Sequence, residues 1–179
     1  MKQLQKLFCV ALLCGLFGSA ATAYAPFNVT TVFLVRHAEK QSNAPDALLS
    51  EAGHARAQRL AAILAKAGVK AIYTSQVERT KQTAAPLAQA LGIPSTTINV
   101  ESAPGGTQVT PQTLNNYATK ITQHAGQTAL VVGHSNSVPP LIAKLGVTQS
   151  VSIGDTEFDN LFVVTIYASG KAVVAQLKY

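Results

Sequence analysis

The sequence predicts a three-layer α/β/α sandwich with a mostly parallel central sheet. Two observations predict it. Between Val32 and Leu145, short apolar runs rich in β-branched residues alternate with stretches of helical spacing, the pattern of strands joined by crossover helices. Two further apolar or alternating stretches, Leu161 to Tyr167 and Lys171 to Leu177, then flank Ser169-Gly170 and read as a closing hairpin.

Val32 to Val35 is a compact apolar run and reads as a buried strand. Ser50 is placed to cap a helix. Ala52, Ala55, Leu60, Ile63 and Leu64 follow at helical spacing until Gly68 stops it. Val69 to Tyr73 is a second strand. Glu78 to Leu91 reads as a helix despite Pro86, and Gly92 and Pro94 end it. Thr96 to Val100 is a third strand, and Ala103 to Pro111, rich in Gly, Pro and Thr, is a loop. Gln112 to His124 is a third helix, Leu130 to Val132 a fourth strand, and Val138 to Leu145 a short helix. Ligands of such folds sit beyond the carboxyl ends of the strands. Arg36-His37 and Gly133-His134-Ser135-Asn136 both fall there.

The first residues have a different character. Lys2 and Lys6 are followed by the apolar run Leu7 to Phe17 and by small residues from Ser19 to Ala25, the layout of a secretory signal peptide. Residues 1–23 are therefore expected to be a signal peptide and 24–179 one exported domain, periplasmic or secreted. The run is shorter than the about 20 residues a spanning helix needs, so no stable membrane insertion is expected after cleavage. Both cysteines, Cys9 and Cys14, lie in this segment, so the mature domain has no disulfide and must rely on its core. The net charge of +6 is spread along the chain with no basic run, and no nucleic-acid partner is expected.

Arg36-His37-Ala38-Glu39-Lys40 opens directly off the first strand. A histidine there can be a nucleophile, a metal ligand or a general base. Arg36 repels a metal cation but offers a planar fork to phosphate oxygens. Arg79 lies near the start of the second helix, where free N–H groups favour anions. Gly133 allows the chain to turn sharply, and His134, when protonated, adds a donor. Two arginines and two histidines at one sheet edge make a site for a dianion. With one histidine as nucleophile, hydrolysis splits into two easier steps, and the other groups hold the phosphoryl oxygens as charge shifts. This design needs no metal and no cofactor. His54, mid-helix, and His124, at a helix end, read as non-catalytic. Ser135 lacks the flanking glycines of a nucleophile elbow. A metal-dependent hydrolase using His37 and His134 is a weaker reading, since no HExxH, CxxC or EF-hand loop is present.

These motifs resemble the histidine phosphatase superfamily, also called phosphoglycerate mutase-like, over nearly all of the mature domain. Arg36-His37 matches its Arg-His motif, with Ala38 where Gly is usual. Asp46 to Arg56, Ser75 to Thr83 and Gly133-His134-Ser135 resemble three further segments. The Arg-His-Ala-Glu-Lys start and the tail Glu157-Phe158-Asp159-Asn160-Leu161-Phe162 resemble a short, often exported subgroup. The resemblance implies that His37 is phosphorylated and that Arg36, Arg79 and His134 bind the phosphoryl group. It also implies a general acid after the third strand. Glu101 is the acidic residue available there, with Asp46 and Glu39 as runners-up.

The expected function is thus a phosphatase acting on phosphate monoesters, or on phosphohistidine, through a phosphohistidine intermediate. Loops are short and leave no large cap, which suits a phosphorylated small molecule, a glycan or a phosphoprotein. A mutase usually needs a lid to protect its phosphorylated form. The alternative is a phosphate-binding module of the same fold, with weak turnover or none.

Overall fold

A computed structural model describes residues 28–179. The expected signal peptide, its cleavage point and both cysteines lie outside the described residues. Six strands and four helices follow in the order β1 (Thr30–Arg36), α1 (Glu51–Leu64), β2 (Val69–Thr74), α2 (Glu78–Leu91), β3 (Ser95–Thr97), α3 (Pro111–Thr122), β4 (Thr128–Gly133), α4 (Val138–Lys144), β5 (Asn160–Ile166) and β6 (Ala172–Lys178). They build one sheet in the order β3-β2-β4-β1-β5-β6. Strands β1 to β4 run parallel to one another, whereas β5 and β6 pair antiparallel as the expected hairpin.

Strand geometry sends successive side chains to opposite faces, and the two cores sort accordingly. Val32 and Leu34 of β1 enter a core with Tyr117 and Ile121 of α3 and Leu141 and Ile142 of α4. Val35 enters the other, with Leu60 and Leu64 of α1 and Leu87 of α2. The sheet is therefore sandwiched between two helical layers. Connections leave the carboxyl ends of the adjacent strands β1 and β4 toward opposite layers, through α1 and α4. A crevice opens where the paths diverge, as at the switch point of an open α/β sheet.

Several boundaries differ from expectation for local reasons. The expected third strand, 96–100, shrinks to three exposed edge residues, with one further bond from Ile98 N to Thr74 O at 2.8 Å. Pro111 begins α3 instead of closing the loop, with Thr110 accepting from Thr113 N. Proline suits a first helical turn because its missing N–H has no partner there anyway. Ser50 does cap α1, accepting from Gly53 N. The buried stripe of α1, however, is Gly53, Ala57, Leu60, Ala61 and Leu64, while Ala52, Ala55 and Ile63 face outward. Apolar spacing alone put the stripe one step out of phase, because alanine marks either face.

Candidate active site

Arg36 and Gly133 are directly paired in the β1–β4 ladder, and His37 N donates to Gly133 O at 2.9 Å. The two histidines therefore leave adjacent strands at one level. Their ring centroids are 5.3 Å apart, in an edge-on arrangement. Gly133 is required by close approach, since a Cβ there would meet Ser137 Oγ at 2.8 Å. That same Oγ accepts from His134 N at 2.8 Å. The sharp-turn expectation for Gly133 is thus replaced by a packing one: its φ is not positive.

His37 has a fixed tautomer. Its Nδ1 lies 2.8 Å from Ala38 O, which can only accept, so Nδ1 carries the proton and Nε2 keeps its lone pair. The turn that holds it is tied down at each residue. Ala38 N donates to Thr83 Oγ1 at 2.9 Å, and Glu39 O accepts from Ser50 N at 2.9 Å. Burial pushes His37 down to about 4, opposed by the Ala38 carbonyl bond and reinforced by Arg79, Arg36 and Lys40. At neutral pH the ring is uncharged, with the Nε2 lone pair free of the Ala38 contact.

The two arginines are each anchored through one nitrogen. Arg36 Nη1 donates to the carbonyls of Gly154 and Asp155 at 2.9 Å and of Glu157 at 3.4 Å. Its guanidinium carbon sits 4.2 Å from the Phe158 ring centroid. Arg79, in the first turn of α2, donates from Nη1 to Pro45 O at 2.7 Å. The Nε of each is buried with no partner among the described residues. Unpaired buried donors are rare and call for an acceptor.

His134 Nε2 lies 3.0 Å from Ser75 Oγ, itself 3.0 Å from Thr80 Oγ1. Burial, then His37, Arg79 and Arg36, push His134 down to about 3. A dianion facing both rings raises them again, because opposite charge favours the protonated form.

Arg36, His37, Arg79 and His134 all line one cavity of about 600 Å³. The geometry thus gathers four of the five residues singled out in the sequence. The fifth, Glu101, is exposed and outside the lining, although Val100 and Ser102 on either side contribute to it. Its backbone is held away by Thr113 Oγ1 and by Thr110 N. The runners-up are occupied elsewhere. Glu39 is gripped by Arg56 at 2.6 Å, and Asp46 Oδ1 caps α2 by accepting from Glu78 N at 2.7 Å. His54 is exposed on α1, and His124 contacts Gln127 at 2.9 Å; neither lines the cavity. The carboxylate that does line it is Asp155, to which sequence reasoning gave no role, as it gave no individual role to Ser75, Thr83 or Lys40. Among the described residues no three His, Cys, Asp or Glu side chains gather as metal ligands.

Residues 32–101 match the histidine phosphatase superfamily (branch 1). No curated protein matches the chain by sequence. Solved structures share its fold at low identity. The protein histidine phosphatase SixA complexed with tungstate is 21% identical, with a TM-score of 0.61 over 83% of this chain and 96% of that one. The alpha-ribazole phosphatase of Shigella flexneri is 17% identical, with a TM-score of 0.65 over 83% and 96%. A mycobacterial glucosyl-3-phosphoglycerate phosphatase is 14% identical, with a TM-score of 0.62 over 84% and 98%. The matched segment carries Arg36, His37 and Arg79, and the described residues share the fold of these solved phosphatase structures.

Proposed function

We propose that the protein is a metal-independent phosphatase that hydrolyses phosphate monoesters, or phosphohistidine, through a phosphohistidine intermediate on His37. The observation that carries this reading is the neutral His37 ring, with Nδ1 committed to Ala38 O and Nε2 left as the nucleophile, in one cavity with Arg36, Arg79 and His134. Nε2 attacks phosphorus, the phosphorus–oxygen bond to the leaving group breaks, and water then cleaves the phosphorus–nitrogen bond. The arginine donors hold the phosphoryl oxygens throughout.

The cavity lining is polar, with Gln76, Ser102, Thr107 and Asn136 around the arginines. This favours a hydroxyl- or amide-bearing phosphorylated substrate: a small molecule, a glycan or a phosphoprotein. The leader composition of residues 1–23 supports action after export. A catalytically weak phosphate-binding module remains the second reading, favoured by the exposed position of Glu101 outside the cavity.

Acid quench of the mature domain turning over a phosphate monoester tests the proposal. The expected result is an acid-labile phosphoryl group on His37, absent in His37→Ala, with turnover surviving a strong chelator. Label on Ser135 instead, or phosphate binding without release, would overturn it.

A further inference from the structure

Hydrolysis of an unactivated ester needs a proton donor for the departing oxygen, and the motifs at positions 36, 37, 79 and 134 supply none that is free to act. The chain has eight aspartates and glutamates. Five are engaged: Glu39 by Arg56, Glu78 by Lys81, Asp159 by Lys178, Asp46 by Glu78 N, and Glu157 by Gly154 N. The other three are Glu51, Glu101 and Asp155. Glu51 starts α1 and Glu101 is exposed, and neither lines the cavity that holds His37. Asp155 does.

We infer that Asp155 is the proton-transfer residue of this site, a reading that rests on the phosphatase mechanism above. Its loop is held firmly for such a part. The Glu157 carboxylate accepts from Gly154 N at 2.8 Å, and Glu157 N returns a bond to Gly154 O at 3.1 Å. The backbone oxygens of Gly154 and Asp155 both accept from Arg36 Nη1 at 2.9 Å. One turn therefore fixes a phosphate-binding arginine through its backbone and presents a carboxyl group through its side chain. That carboxyl has no ion pair or hydrogen bond among the described residues. Asp155 also lines a second polar cavity, shared with Arg36, Lys40 and Phe158, which abuts the first. It thus borders both cavities beside Arg36.

The protons balance across the two steps. As His37 Nε2 bonds to phosphorus, the ester oxygen leaves with the proton of the Asp155 carboxyl. The resulting carboxylate then takes a proton from the water that attacks the phosphohistidine. Inorganic phosphate is released, and both side chains return to their starting states.

The test compares Asp155→Asn with the unaltered mature domain on an alkyl phosphate and on 4-nitrophenyl phosphate, with Glu101→Gln in parallel. A positioned acid typically contributes about 10²–10⁴-fold. Asp155→Asn should lose that much in kcat/KM on the alkyl ester but less than tenfold on the activated one, whose leaving group needs no proton. Phosphohistidine should still form on His37 and persist longer, because its hydrolysis loses the base. Asp155→Glu should recover part of the alkyl activity, and a thermal melt checks that each variant is folded. Equal losses on both esters, no loss, or an equal or larger alkyl-ester defect in Glu101→Gln would overturn the assignment. Absence of phosphohistidine in the unaltered protein would instead remove the phosphatase mechanism itself.

Discussion

Thr83 and Ala38 are joined across two elements: the Thr83 hydroxyl accepts from Ala38 N at 2.9 Å and donates to Arg79 O at 2.7 Å. One buried oxygen links the turn that orients His37 to the helical turn that carries Arg79. Thr83→Val keeps the shape but leaves Ala38 N unpaired, at a cost of about 1–3 kcal/mol. Misplacement of reacting groups by about 1 Å costs on the order of 10²-fold. Thr83→Val should therefore lower kcat by about tenfold to a hundredfold, and Thr83→Ser should restore it. If the serine variant is as slow as the valine variant, the hydroxyl bridge is not the reason.

Arg79 donates Nη1 to Pro45 O, lines the cavity, and keeps a buried Nε with no partner among the described residues. Removing one donor to a charge-developing oxygen costs about 10²–10³-fold. Arg79→Ala should lose that much in kcat/KM, with inorganic phosphate binding weakened in step. A change under tenfold, measured by initial rates, would place Arg79 outside the reacting site.

How much of this was legible beforehand depended on distance along the chain. Val32 to Val35 followed by Arg36-His37, and Leu130 to Val132 followed by Gly133-His134, are local patterns, and local patterns reveal strands and what leaves their ends. Arg79 was legible because it opens a helix. Asp155 was not, because its place in the cavity comes from three carbonyl bonds to Arg36 across more than a hundred residues. Glu101 was chosen for its position after a strand. That strand ends at Thr97, and residue 101 is instead tied to the start of α3. The outward face of α1 was misread because alanine carries little information about burial.

The two depressed histidines make stability depend on pH. An unfolded chain takes up protons on both rings near the ordinary histidine value of about 6.5. The folded chain does so near 4 for His37 and near 3 for His134. Between these limits the unfolded state binds more protons, so stability is full above about 6.5 and falls as the pH drops. The slope is about 1.4 kcal/mol per pH unit for each histidine. Urea midpoints in phosphate-free buffer should fall between pH 6.5 and 5, and His134→Asn should flatten the slope. Saturating phosphate should flatten it too, because the anion raises both rings. A flat profile in the unaltered protein would show that neither ring is depressed.

Gly53 tests the support of the His37 turn from behind. It lies in α1, where an added Cβ would stand 2.2 Å from Glu39 O, with Glu39 C and N at 3.1 and 3.2 Å. Two effects oppose each other in Gly53→Ala. Helix propensity alone favours alanine by about 1 kcal/mol. Overpacking a tight contact costs about 1–3 kcal/mol, and here the obstacle is backbone, pinned by Ser50 N on the same oxygen. The clash should win, so Gly53→Ala should lower the urea midpoint. Relief by moving Glu39 would shift the adjacent Ala38 carbonyl that sets the His37 tautomer, and kcat should fall about 10²-fold. A raised midpoint with unchanged turnover would mean that the 39–40 turn yields freely and that His37 is held by β1 and Gly133 alone.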